Sequence, residues 1–403
     1  MAELSGSPQA RRSLLGLGAA GLAALALAGC QLVPKPSEGP PPPPAQPEAP
    51  RAQPVQPEQP GPGLPPDETR NRVAVLVPLS GANSGVGQSI ANAANLALLD
   101  TGGERIRITV YDTAKGGAAA AANEAIGQGN GLILGPLLAE DARAVAPVAH
   151  RAGVPVIAFS NDTSVAGDGV YLMGFTPRES IGREVDYARS KGAQRFAALT
   201  PNGVYGRRAG QAMIDIVSHS GGRLIGMQSF DREPASIRAA LTKVGAQGGY
   251  DAILIADSGR IGAIAAPAIR SGPSDGAQIL GTELWATESD LGRTAALRGA
   301  WYAAASDTMF NQLRVRYRAR YGASPYRLAS LGYDAVLLAV RIAKDWRIGR
   351  PFPERALRDP GGFAGVDGAF RFGSDGIAER SLEVRQVTAG GSTLLSPAPH
   401  GFD

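Results

Sequence analysis

The chain has 403 residues, 44% hydrophobic and 19% charged, long enough for two lobes with separate cores and unlike a disordered or wholly membrane-embedded protein. Forty basic against 36 acidic residues give a formal charge of +4, and because the two signs stay interleaved no nucleic-acid partner is expected. A single cysteine excludes an intrachain disulfide or a multi-cysteine metal site, and with three scattered histidines no metal or other cofactor is implied.

Residues 1–29 read as a signal peptide. Arg11-Arg12 precedes an uncharged run, Ser13 to Gly29, shorter than the ~20 apolar residues of a membrane span and ending in small residues. Leu27-Ala28-Gly29-Cys30 matches the lipobox of bacterial lipoproteins, in which the cysteine thiol accepts a diacylglycerol and becomes the new N-terminus. Cys30 is therefore the expected lipidation site and membrane anchor. Gln31, rather than an aspartate, favours outer-membrane sorting, and Arg11-Arg12-Ser13-Leu14-Leu15 resembles a twin-arginine export motif. Gly16 to Gly21 spells GxGxxG, but no strand precedes it and the segment is cleaved away, so a dinucleotide site is excluded there.

Residues 30–70 read as the lipidated N-terminus and a tether. From Pro34 to Pro66 there are 15 prolines in 33 positions, a stretch that cannot bury enough apolar surface to order and lacks the N–H donors of helix or sheet. Extended polyproline II at ~3.1 Å per residue would hold the folded body well away from its membrane.

Beyond residue 71 strands and helices alternate. Arg72 to Pro78 is a short apolar run of the kind buried parallel strands show, and a helix follows from Gly87 to Leu99. Strands at 105–111, 131–135 and 154–159 alternate with helices at 117–126 and 139–151. The beat resumes with strands at 194–200, 223–230 and 251–256 and helices at 205–220, 237–244 and 261–270. In Arg314 to Arg320 the arginines occupy the solvated sides of a helix whose buried face is Phe310, Leu313, Tyr317 and Tyr321. Phe370 to Gly376 carries a turn signal, and Ser381 to Val387 alternates like an antiparallel edge strand. The pattern is α/β, with two doubly wound parallel-sheet lobes around a cleft. The first lobe is expected at about 71–177 plus 323–348, the second at about 178–322 plus 349–403.

Val75-Leu-Val-Pro-Leu-Ser-Gly81, Gly135-Pro136, Tyr205-Gly206, Gly332-Tyr-Asp-Ala335 and Gly368 to Gly373 follow in the order found in type I periplasmic binding proteins, the leucine/isoleucine/valine-binding class. Within that superfamily Tyr111-Asp-Thr113, Leu134-Gly-Pro-Leu137, Gly174-Phe-Thr-Pro177 and Thr200-Pro-Asn-Gly203 resemble the penicillin-binding-protein activator lipoproteins. That resemblance implies a non-catalytic regulator partnered with a peptidoglycan synthase. Where well-known members carry a helical-repeat domain, this sequence has its proline-rich stretch. The alternative is a solute-binding lipoprotein of an ABC transporter, with a small polar or amino-acid-like ligand in the cleft.

In amino-acid-binding relatives a hydroxyl residue after the third strand's glycine holds the ligand carboxylate; here Pro136-Leu137-Leu138 stands there, and leucine cannot donate. By the same resemblance Glu283 stands where relatives hold a ligand ammonium, and Tyr205 would stack on the ligand or close as a lid. Ser80 and Ser160 are candidate donors to a ligand, and Asn161 and Asp162 candidate readers of its donors; Ser80 and Asp162 are equally good turn formers or caps. No GxSxG, P-loop or HExxH is present, so an enzyme is not expected.

Overall fold

The computed structural model describes residues 67–399 and 401–402. The signal peptide, Cys30 and the tether up to residue 66 lie outside the described residues. The first sheet is built by β1 (Asn71–Val77), α1 (Ser84–Asp100), β2 (Ile106–Asp112), α2 (Ala118–Gly127), β3 (Leu132–Leu134), α3 (Ala139–Ala152), β4 (Val156–Ala158) and β5 (Val170–Leu172). Its order is β2-β1-β3-β4-β5, all parallel. The chain then enters α4 (Pro177–Ser190), β6 (Arg195–Pro201), α5 (Val204–His219), β7 (Arg223–Phe230), α6 (Pro234–Gly245), β8 (Ala252–Ile255), α7 (Gly259–Arg270), β9 (Gln278–Leu280) and β10 (Trp301–Ala304). It returns through α8 (Asp307–Tyr321), α9 (Ala329–Ile342) and a small antiparallel sheet of β11 (Phe363–Gly365), β12 (Gly368–Phe372) and β13 (Ala378–Arg380). A third crossing leads to β14 (Glu383–Thr388) and β15 (Gly391–Ser396). The second sheet runs β15-β14-β10-β9-β8-β6-β7, with β14 and β15 antiparallel.

Each sheet is covered on both faces, which is why its strands read as continuous apolar runs. Val73, Val75 and Val77 pack toward α1, α8 and α9, whereas Ala74 and Leu76 pack toward α2 and α3. In the second sheet Ala197 and Leu199 face α6 and α7, and Phe196 and Ala198 face α4 and α5. The two faces follow from the period-two alternation of strand side chains.

The strand-to-helix turns depend on glycine for close approach. A Cβ on Gly87 would stand 1.8 Å from the Pro78 carbonyl oxygen, and one on Gly206 would stand 1.7 Å from that of Pro201. Both helices are thereby drawn tightly onto the ends of β1 and β6.

Three readings from the sequence change. Residues 307–321 were expected in the second lobe, yet Phe310, Leu313 and Tyr317 of α8 are buried in the first core. Burying Phe310 and Leu313 is worth ~1.5–3 kcal/mol each, and the Tyr321 hydroxyl donates to the Asn92 carbonyl at 3.0 Å. Arg314, Arg316, Arg318 and Arg320 point outward as the spacing predicts. The segment from 349 to about 380 also packs on the first core, through Phe352, Leu357, Phe363, Phe370 and Phe372. Only β14 and β15 of that stretch join the second sheet. The strand over 381–387 is antiparallel as read, but it is not an edge: the turn at Ala389-Gly390 brings β15 back beside it. No helix among the described residues is long and apolar enough to cross a membrane.

Candidate functional site

A cavity of about 470 Å³ lies where the carboxyl ends of both sheets meet, the edge at which open α/β sheets bind ligands. The first lobe supplies Leu137 and Leu138 from the turn after β3, Phe159 and Asn161 from the turn after β4, and Leu328 before α9. The second supplies Glu283, Leu284 and Thr287 from the turn after β9. The crossing segments add Phe175, Thr176, Ala305 and Leu382. The wall is mostly hydrocarbon, interrupted by a few polar groups.

Three charged side chains reach it, Glu179, Glu283 and Arg327. Glu179, near the start of α4, accepts from the Thr176 N–H at 2.9 Å, the return arm of a helix-capping box. Its other oxygen pairs with Arg380 at 3.2 Å, both side chains being nearly fully buried. Burial raises the Glu179 pKa, against the lowering pull of Arg380. The Arg380 guanidinium also donates to the Met173 carbonyl and lies 4.6 Å from the Phe175 ring centre, so the pair clamps two of the three crossings. Arg327 is committed elsewhere: it pairs with Asp367, which is 1% exposed, and stacks 4.2 Å over Phe310.

Glu283 differs from both. Its oxygens accept from neutral hydroxyls, Tyr205 at 2.9 Å and Ser180 at 2.6 Å. Burial raises its pKa, opposed by those two hydrogen bonds and reinforced by the negative charge of Glu179. Near it lies Glu184, 1% exposed, with no side-chain hydrogen-bond partner. Burial pushes Glu184 well above the ordinary carboxylate range, and Glu283 adds to the shift.

Of the six cleft residues expected from sequence, Asn161 and Glu283 stand on the cavity wall. The other four are not on it and are engaged with other groups. Tyr205 is half-buried and holds Glu283, also reaching Thr282 at 3.2 Å. Ser80 donates to Asp112 at 2.8 Å and braces the turn after β1. Buried Ser160 accepts from the Asp162 N–H at 3.0 Å. Asp162 caps a short 3-10 turn by accepting from the Ser164 N–H at 3.0 Å and pairs with Arg143 and Arg208. Burial alone would raise its pKa, but Arg208 and Ser164 hold it well below the usual carboxylate range. Since Arg208 lies on α5, this pair ties the two lobes together.

Glu179 and Arg327 were not singled out from the sequence. Thr176-Pro-Arg-Glu179 does spell a capping box, which could have located the first. Arg327 sits in an irregular segment with no comparable pattern.

The family model for periplasmic binding proteins matches residues 71–392. Among solved structures, a protein of Rhodospirillum rubrum attributed to branched-chain amino acid ABC transport is 19% identical, with a TM-score of 0.69, covering 81% of this chain and 100% of its own. The C-domain of LpoA from Haemophilus influenzae, a regulator of PBP1A, is 18% identical with a TM-score of 0.64, covering 81% of this chain and 100% of its own. A Rhodopseudomonas palustris ABC-transporter solute-binding protein, solved with 3,4-dihydroxybenzoic acid, is 20% identical with a TM-score of 0.59, covering 83% of this chain and 97% of its own. An uncharacterized protein of Rickettsia prowazekii is 24% identical over 173 residues, 43% of this chain and 46% of that protein, so the match spans under half of that relative. These folds are shared by binding proteins and by a regulator. The parallel sheets, the three crossings and a match over most of the chain place this protein in the periplasmic binding protein family.

Proposed function

We propose that this chain is a lipid-anchored periplasmic regulator that stimulates a peptidoglycan synthase by docking to it, without catalysing a reaction itself. The observation that carries this reading is the cleft wall at Leu137–Leu138. An α-amino acid needs a carboxylate receptor there, and a carboxylate desolvated beside leucine loses several kcal/mol of uncompensated solvation. The cation on that wall, Arg327, is already spent on Asp367. A fold shared with the LpoA C-domain, a regulator of PBP1A, supports the same reading. The lipobox at Cys30 and the tether suit a protein that must reach a partner across the periplasm. The test is glycan polymerisation by a purified penicillin-binding protein from the same organism, with and without this protein. A severalfold rise in rate is expected; an unchanged rate, with no crosslink to any synthase in cells, overturns the reading.

The cavity between the two sheets favours a second reading, a solute-binding lipoprotein of an ABC transporter. Recovery of a permease instead of a synthase by in-cell crosslinking would select it.

A further inference from the structure

The two signs of charge are mixed over most of the chain but not on α8. Asp307–Tyr321 carries four arginines against one aspartate, a net +3 out of the whole chain's +4. Phe310, Leu313 and Tyr317 fix its inner face in the first core, so the opposite face is held toward solvent. Arg316 is drawn back toward that core, 3.5 Å from Asp100 and 3.3 Å from the Tyr333 hydroxyl. The guanidiniums of Arg314 and Arg318 are exposed and meet no ion-pair or hydrogen-bond partner among the described residues. Arg320 lies 5.9 Å from the ring centre of Tyr321 and likewise forms no ion pair among them.

Like charges one turn apart, Arg314 with Arg318 and Arg316 with Arg320, oppose the helix they sit on. Helical spacing puts Val315 between these two rows, opposite the buried face. It is 68% exposed, the most exposed of the large apolar side chains among the described residues. An apolar side chain in water with unpaired arginines around it has the anatomy of a protein interface. Guanidiniums pair bidentately with carboxylates, and covering Val315 would keep water from those pairs. A bilayer contact inserts several large apolar side chains, whereas on α8 only Val315 and Met309 are exposed.

We propose that the outer face of α8 docks an acidic protein surface, with Arg314, Arg318 and Arg320 paired to its carboxylates and Val315 covered at the centre. This rests on the docking role given above. It assigns that role to one face of the first lobe, and it requires the synthase to present a patch of aspartates and glutamates.

The test immobilises a purified penicillin-binding protein from the same organism and follows binding of the full mature chain by surface plasmon resonance across a salt series. Wild type should bind, and the affinity should fall steeply as salt rises. Arg314→Glu with Arg318→Glu should weaken binding about tenfold or more at low salt, and lower stimulation of glycan polymerisation with it, while the variant melts as wild type does. Arg238→Glu with Lys243→Glu, on α6 of the second lobe, changes the net charge equally and should leave both readouts near wild type. Wild-type affinity in the folded α8 variant overturns the proposal and leaves the docking role to another face. An equal loss in both variants also overturns it, because net charge and not this face would then supply the attraction. No binding of wild type to the synthase overturns the proposal and the docking role together, whether or not α8 holds the chain on phosphatidylglycerol vesicles.

Discussion

At the cavity the two lobes use the same backbone device for different chemistry. After β1 and after β6 a proline carbonyl receives a helix glycine at a distance no Cβ allows, Pro78 against Gly87 and Pro201 against Gly206. The turns that face each other nonetheless differ. The first lobe meets the cavity largely with hydrocarbon, Leu137, Leu138 and Phe159, whereas the second brings Glu283, backed by Tyr205 and Ser180. The first sheet is wholly parallel, while the second accepts two antiparallel strands from the chain's last segment. Scaffold symmetry and chemical asymmetry are thus separable: the glycines fix where α1 and α5 sit on their sheets, and the turns after β3, β4 and β9 give the cavity its unlike walls.

The shared device is the place to break the comparison most severely. Gly87→Val and Gly206→Val should each destabilise the protein by about 3 kcal/mol or more, because the new Cβ meets a backbone carbonyl that cannot move aside alone. Urea titration followed by circular dichroism would measure both, and an effect confined to one of them would show that the two turns are not equivalent.

Next in size is the clamp at the crossings. Arg380→Met leaves Glu179 buried without its cation and should cost about 3–5 kcal/mol in the same titration. Adding Glu179→Gln should restore much of the loss, since the pair matters more by its balance than by its attraction.

A smaller change should separate the lobes without unfolding them. Arg208→Ala removes the inter-lobe partner of Asp162, whose second partner, Arg143, lies on its own lobe. The variant should remain folded, with stability lowered by about 1 kcal/mol or less. It should show a larger radius of gyration by small-angle X-ray scattering. An unchanged radius would mean that the crossings alone set the lobe angle.

The smallest expected effect sharpens the electrostatic contrast. Burial raises the Glu184 pKa, so the folded protein keeps a proton that the unfolded chain releases above the ordinary glutamate value of ~4.3. Stability should therefore fall as pH climbs from that value toward the raised one, because the native state binds more protons there. Glu184→Gln abolishes this slope, so it should be close to neutral at pH 4 and increasingly stabilising toward pH 8. Thermal melting across that range would measure it, and a variant parallel to wild type at every pH would place the titration elsewhere.

Much of the architecture was legible because it is local. Buried parallel strands such as Val73 to Val77 announce themselves as apolar runs, and the turn glycines punctuate them. The lobe membership of α8 and of the segment after residue 349 was not legible, since an amphipathic face says that a helix is buried, not against which sheet. Phe310 and Leu313 look the same in sequence whichever core they enter. At the site, the resemblance singled out Glu283 and Leu137, both of which line the cavity, and sequence spacing could have located Glu179. It could not reveal that Tyr205 turns inward to hold Glu283, nor that Arg327 is spent on Asp367, because both depend on partners tens of residues away.

The three crossings also order events in time. The first sheet is complete at Leu172, yet the face formed by Val73, Val75 and Val77 is covered in part by α8 and α9, whose contact with α1 joins residues 229 apart. At ~5–20 residues per second, a ribosome needs on the order of ten seconds to make the intervening chain, during which the part of that face covered by α8 and α9 would stand bare. Neither lobe can finish while the polypeptide is still being made. A chain arranged this way closes both cores only once its last segment is available.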